Sequence, residues 1–496
     1  MTNPRTPVIV GVGQFLNRID SLDDALEPLE MMLRAVRLAE RDTGSGGFLD
    51  QVQSVRVVRG LWRYGNPARV VAERIGASAA QTVGTLFGGN QNQAVVNRTA
   101  AEILAGELDL ALITGAENGY SAGRARKAGI RLEATEAPGD YDAMISDPQQ
   151  PEHHECELDK GIRTAIQVYP IYENAIRHAR GETLEAHIHR VSELWSGFNA
   201  VAVDNPHAWV RQPMNAAEIR TPSPANRRVS FPYTKFMNAN MMVDMSAALI
   251  LCSVAQARRL GISPDKWVYP HAGARGYDHF SASVRHSFHA SPAIRLTGQR
   301  LFELAGVEAE DLDFVDLYSC FPSAVQVAAQ ELGLAEERPL TVTGGLTFGG
   351  GPLNNYVMHS IARMVELLRE RPQAKGLITA NGGNLYKCVM GLYSGEPPAT
   401  DFQQADAQAE IDALPARRCL AEHAGEATIE SYTVMYAGDD AKVGHLACLT
   451  PAGDRTWVNT EDPDLMAAMA SEEFCGRKVR VERGGSLAGV ASGSIG

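Results

Sequence analysis

The sequence predicts a duplicated α/β fold, interrupted by an insertion and followed by a small β-rich domain. Strand-length apolar runs alternate with amphipathic helical stretches, one such unit recurs in both halves, and the end of the chain changes to short strands. At 496 residues the chain exceeds one ordinary core, so several domains are expected.

In chain order, VIVGVG (8–13), LDLALITG (108–115) and KGLITANGG (375–383) have the short apolar character of buried strands. LEPLEMMLRAVRLAER (26–41) and VVNRTAAEILAGE (95–107) have helical periodicity. The repeat pairs a segment beginning at Leu86 with one beginning at Thr347. Each has a Phe-Gly-Gly turn, a helix, a polar break and a Leu-Ile-Thr strand, so Phe87 matches Phe348 and Thr114 matches Thr379. Residues 121–230 are richer in charge, histidine and proline, with one clear helix over 186–202, and read as an insertion into a first half comprising 1–120 and 231–270. The second half then covers 271–398. The polar stretch 399–416 suits a linker, and 417–496 carries short strands around one helix, which suits a small OB-like β-barrel.

Apolar residues make up 45% of the chain and charged residues 21%, the balance of a soluble globular protein. The formal charge of -13 is spread without a basic stripe, which argues against nucleic acid and anionic membranes as partners. The apolar run at the start is too short for a signal segment, and no run reaches the roughly 18 residues of a membrane span. Seven cysteines without a CxxC pair suit free thiols in the cytoplasm.

His153-His154-Glu155-Cys156 has metal-binding residue types, but neighbours in sequence do not all converge on one ion, so it reads as a polar loop and no metal is expected. His187 and His189 flank Ile188 on a helix and read as surface or groove residues, while His286 and His289 read as a solvated pair sharing a helix face. The glycine-rich LTFGGGPLNN lacks phosphate-loop and dinucleotide-loop spacing, and no GxSxG elbow is present.

Five segments together resemble the thiolase superfamily, in its sterol-carrier-protein thiolase and thiolase-like type 1 branches, over roughly residues 6–395. They are Ala105-Gly106-Glu107, Val243 to Ala248, Tyr318-Ser319-Cys320-Phe321, Gly350-Gly351-Pro352 and Ala380-Asn381-Gly382-Gly383. The resemblance implies a five-layered αβαβα core with a loop-domain insertion, and a homodimer by family default. It also implies coenzyme A or an acyl-CoA as ligand. The family's nucleophilic cysteine, activating histidine and second cysteine fall on Gly89, Gly351 and Ala380, so the groups that thiolysis requires are missing.

The retained turns imply an acyl-CoA site formed by Gly89, Asn90, Asn92, Gly350, Gly351 and Asn381, with backbone N–H groups of the glycine turn facing the thioester carbonyl. Tyr318 and Cys320 remain as candidate catalytic groups. Some thiolase-like steroid acyl-CoA lyases, which perform retro-aldol cleavage, resemble this chain in having tyrosine at the first position, where a hydroxyl with a locally lowered pKa can pass a proton; the alternative is a phenol that fills space. The resemblance thus implies an acetyl-CoA acetyltransferase-like protein of lipid or sterol metabolism that binds acyl-CoA without thiolase chemistry. An acyl-CoA carbon–carbon lyase and a non-catalytic partner protein are the alternatives.

Overall fold

The computed structural model describes residues 3–145, 151–482 and 487–488. The sequence repeat appears as a repeated strand order. In the first sheet Pro7–Leu16, Asp244–Ser253, Leu110–Asn118 and Ser54–Val57 lie side by side, paired antiparallel, antiparallel and parallel. In the second, Tyr269–Tyr277, Lys387–Ser394, Lys375–Gly382 and Phe314–Asp316 follow with the same three relations. Thr114 and Thr379, matched in sequence, sit on equivalent strands of the two sheets.

The Gln91–Ala105 and Tyr356–Glu370 helices contact both sheets and each other, which makes them the middle layer. Pro28–Asp42 covers the outer face of the first sheet and Pro292–Ala305 that of the second, giving five layers. A helix enclosed on all sides must bury its polar residues as well. Gln91–Ala105 buries Gln93 and Asn97, and both are hydrogen-bonded: the Gln93 amide donates to the Tyr393 hydroxyl at 2.6 Å and the Asn97 amide to the Met390 carbonyl at 3.1 Å. Gly106 ends the helix in the left-handed conformation, at φ 77°.

Two short edge strands went unread in the sequence. Ala143–Ile145, within the insertion, pairs parallel with Gln81–Thr85 at the edge of the first sheet. Gln403–Asp406, inside the stretch read as a linker, pairs parallel with Tyr269–Tyr277 and is followed by a short helix, Gln408–Asp412. Its side chains are mostly solvent-facing, so its pairing is carried by the backbone and leaves no apolar alternation to read.

The insertion is largely helical, with Ala165–Ala179 and Leu184–Asp204 as its long helices. His187 is not a surface residue. It is 1% exposed, its Nε2 lies 2.7 Å from Glu173 Oε1, and its Nδ1 lies 2.6 Å from Glu182. His189 is exposed, as expected. His286 and His289 are exposed too, but they lie in a non-helical segment and share no helix face.

The C-terminal unit is a sheet in the order Cys419–Leu420, Arg455–Thr460, Asp440–Leu449, Gly425–Ala437, Lys478–Val481 and Leu487–Ala488, with the Pro463–Met469 helix packed on it. It docks on the insertion. The Asn174 amide donates to the Tyr432 carbonyl at 2.7 Å, Arg177 pairs with Glu473 at 2.8 Å, and the Ser431 hydroxyl donates to the Ile171 carbonyl at 2.5 Å.

Candidate active site

The Tyr318 and Asn381 segments meet Gly89 at the N-terminal end of the Gln91–Ala105 helix, while Ala105-Gly106-Glu107 lies at its C-terminal end. Gly89 lies just ahead of that helix, and buried Asn90 stands at its N-cap position without a side-chain cap hydrogen bond. Tyr318 follows the Phe314–Asp316 strand, and Asn381 ends the neighbouring Lys375–Gly382 strand, so parallel pairing of these strands brings the two residues to one end of the sheet.

A Cβ built on Gly89 would lie 2.4 Å from the Tyr318 hydroxyl and 2.5 Å from the Asn381 carbonyl oxygen. The phenol and the neighbouring strand therefore occupy the place of a side chain at residue 89, the position to which the resemblance assigns the family's nucleophile. Tyr318 is anchored there in two further ways. Its backbone N–H donates to Thr379 Oγ1 at 2.8 Å, and its ring meets Tyr356 edge-on at a centroid distance of 5.7 Å. Tyr356 is itself held by Asp316, to which its hydroxyl donates at 3.0 Å. The same carboxylate accepts from the Val342 N–H at 2.9 Å, tying down the segment that leads into the glycine-rich turn.

Cys320 is buried beside Tyr169 and Asn381, both of which hydrogen-bond its thiol. Burial pushes the thiol up to about 12, and those hydrogen bonds only partly oppose this, so Cys320 is a neutral thiol near pH 7 and a weak nucleophile. Burial, aided by Cys320, also raises the Tyr318 phenol far above its ordinary range. The hydroxyl is therefore a proton donor or a packing group rather than a base.

Tyr169 belongs to this cluster although no motif marked it. The Asn381 amide donates to its hydroxyl at 2.9 Å, and its ring stacks on Phe321 at 4.4 Å. The readable signal was Tyr169 and Tyr172, three apart on one helix and both fully buried against the second half.

Ala380, at the second cysteine position, is buried and lines a cavity of about 20 Å³ shared with Tyr318, Asn381 and Cys388. That volume holds about one water-sized group and no acyl chain.

The glycine turn is built differently from what the resemblance implied. Gly351 N–H donates to the Asn240 carbonyl at 2.9 Å, so it is committed to the backbone and does not face a thioester. Gly350, at φ 109°, packs against Met245 and Trp209, outside the Tyr318 cluster. Asn92 links the two regions, because its buried amide donates to the Asn354 carbonyl. Among the described residues, the Oδ1 atoms of Asn92 and Asn355 are buried acceptors without a hydrogen-bond partner.

A larger cavity, about 840 Å³, lies away from these motifs, between the edge strands Ala143–Ile145 and Gln403–Asp406. Its walls carry Arg56 and Arg98, both paired with Glu102, Arg275 paired with Asp406, and Glu107 outside these pairs. No helix among the described residues is long and apolar enough to cross a membrane.

Comparison with known proteins fits this geometry. A family profile described as the thiolase-like protein type 1 additional C-terminal domain matches residues 406–486. A solved structure of a monomeric SCP2-thiolase-like protein type 1 from Mycobacterium smegmatis is 32% identical. It covers 97% of this chain and 98% of that one, with a TM-score of 0.84. A steroid side-chain-cleaving aldolase of Thermomonospora curvata is 26% identical over 269 residues, spanning 50% of this chain and 64% of that protein. An acetyl-CoA acetyltransferase of Schizosaccharomyces pombe is 26% identical over 147 residues, spanning 29% and 35%. The chain thus spans less than two thirds of either curated relative.

Proposed function

The chain belongs to the SCP2-thiolase-like protein type 1 family, and from that premise we propose that it binds an acyl-CoA thioester without carrying out thiolysis. The carrying observation is the Tyr318 hydroxyl lying where a side chain at residue 89 would stand. Thiolysis needs a thiolate at that point and an acid/base partner, and Gly89, Gly351 and Ala380 supply neither. The buried acceptors of Asn92 and Asn355 suit the amide N–H groups of a pantetheine arm. Because the present cavity holds no acyl group, binding requires Tyr318 to swing away from Gly89. Seven free cysteines support a cytoplasmic setting. Incubation with acetoacetyl-CoA and free CoA is expected to yield no acetyl-CoA, and sustained turnover would overturn the proposal.

A second reading is carbon–carbon cleavage of a 3-hydroxyacyl-CoA, in which Tyr318 passes a proton. It is supported by the similarity to an aldolase, with the phenol acting only as a proton donor, since burial raises it above its ordinary range. Tyr318→Phe is then expected to lower cleavage by about 10²- to 10⁴-fold. A variant as active as the native chain removes this reading.

We also propose a monomer in place of the family-default homodimer. Ala143–Ile145 and Gln403–Asp406 cover one edge of each core sheet, leaving those edges unavailable for pairing between copies. Sedimentation equilibrium is expected to give the mass of one chain across the micromolar range; twice that mass would contradict the proposal.

A further inference from the structure

The His153 to Cys156 segment lies at the junction between the insertion and the C-terminal domain. His154 caps the short Glu155–Asp159 helix, its Nδ1 accepting the Cys156 N–H at 3.2 Å. Cys419, from the first strand of the C-terminal sheet, joins them. One donor atom from each of His154, Cys156 and Cys419 lies within 4.8 Å of the others. The sequence marked His154 and Cys156 as metal-binding residue types within what reads as a polar loop, but not Cys419, which lies at the far end of the chain.

We infer that His154, Cys156 and Cys419 form a zinc-class site that fastens the C-terminal domain to the insertion. Two thiolates and an imidazole are the ligand types that Zn²⁺ selects among common divalent ions. Ligand bonds of 2.0–2.3 Å in a tetrahedron set donor separations of about 3.5–3.8 Å, so the present group needs to contract by about 1 Å or less. Zn²⁺ displaces one proton from each thiol; with two thiolates and a neutral imidazole the centre carries no net charge, and water completes the fourth position.

Ser283 ties the two sides of the junction together. Its hydroxyl donates to buried Glu157 at 2.8 Å and accepts from the Trp457 indole N–H, also at 2.8 Å. Glu157 lies on the same short helix as Cys156, while Trp457 lies on the strand that pairs with Cys419–Leu420. Both sides of the junction thus hold the ligands in register. His153 is directed elsewhere, its Nδ1 lying 3.1 Å from Glu157, which is why it is not counted as a ligand.

The test uses the untagged full chain, reduced and freed of metal, titrated with Co²⁺ and then Zn²⁺. A thiolate-to-cobalt absorption band saturating at one ion per chain is expected. It should be lost on adding Zn²⁺, which should also raise Tm. Cys419→Ser, at a half-buried position, is expected to lose both the band and the Tm shift; His154→Ala should weaken Co²⁺ binding at least tenfold. No band in the native chain overturns the inference without reference to any variant. So does a band unchanged in Cys419→Ser, or a Cys156–Cys419 disulfide as the stable state under mild reduction.

Discussion

Gly89→Ala, the addition of one methyl group, is expected to destabilise the protein by about 1–3 kcal/mol through overpacking. Backbone conformation is not the reason, because Gly89 lies outside the left-handed region that favours glycine. The reason is space: the new Cβ would meet the Tyr318 hydroxyl at 2.4 Å, the Asn381 carbonyl oxygen at 2.5 Å and the Tyr318 Cζ at 2.9 Å. A flexible side chain could yield, but Asn381 contributes a backbone atom from a paired strand. Gly89→Cys therefore places a thiol in the family's position without restoring a nucleophilic site, and is expected to be less stable still.

Tyr318→Phe in the Gly89→Ala background removes one of the three contacts, so the double variant should recover only part of the loss. Gly351 provides the contrast. A Cβ there has its nearest neighbours, two backbone carbonyl oxygens, at 3.3 Å, so Gly351→Ala should cost less than Gly89→Ala. Urea unfolding of the four chains decides the matter, and a Gly89→Ala variant as stable as the native chain would show that residue 89 retains room for a side chain.

Glu173→Ala is expected to cost more, about 3–5 kcal/mol, because it strips partners from a buried ionic cluster. Glu173 is fully buried, and it accepts hydrogen bonds from the Tyr233 hydroxyl at 2.6 Å and the Gln326 amide at 2.7 Å, with His187 Nε2 also at 2.7 Å. The cluster joins both long insertion helices to the Pro322–Glu331 helix of the second half, so its loss loosens the insertion as a unit. Glu173→Gln keeps the size and part of the hydrogen bonding, and should lose less.

The pH dependence has a definite sign. Burial pushes the Glu173 carboxyl up, but the hydrogen bond and charge of His187, with Tyr233 and Gln326, outweigh it and leave the carboxyl below its ordinary range. Its contribution is therefore complete above the unfolded carboxylate range and is lost as pH falls through the lower native value. Stability of Glu173→Ala should accordingly fall less steeply in acid than that of the native chain. Equal acid slopes would show that Glu173 gains nothing from its partners.

Much of the core was legible because its strands and helices are long, apolar and repeated. Thr114 with Thr379 marked equivalent points of two halves that the strand order then reproduced, whereas Phe87 is exposed and Phe348 buried. What stayed hidden was carried by backbone pairing or by contacts between distant segments. Gln403–Asp406 is a polar edge strand without alternation. His187 looked solvent-facing because its partner Glu173 lies on a different helix. At the site, motifs located Tyr318, Cys320 and Asn381, but not the filling of residue 89 by a phenol, which depends on distances that sequence does not encode. Tyr169 escaped because it enters from the insertion. Reading the glycine turn as a donor to a thioester failed at Gly351 because its N–H is bound to Asn240.

The central claim is that this closed pocket, which has no thiol at residue 89, is kept for an acyl-CoA. Calorimetric titration of the native chain with acetyl-CoA and acetoacetyl-CoA tests it most directly. The account predicts saturable heat with one site per chain, with the thioester recovered unchanged when acetyl-CoA is used. No heat with either thioester or with free CoA would contradict it.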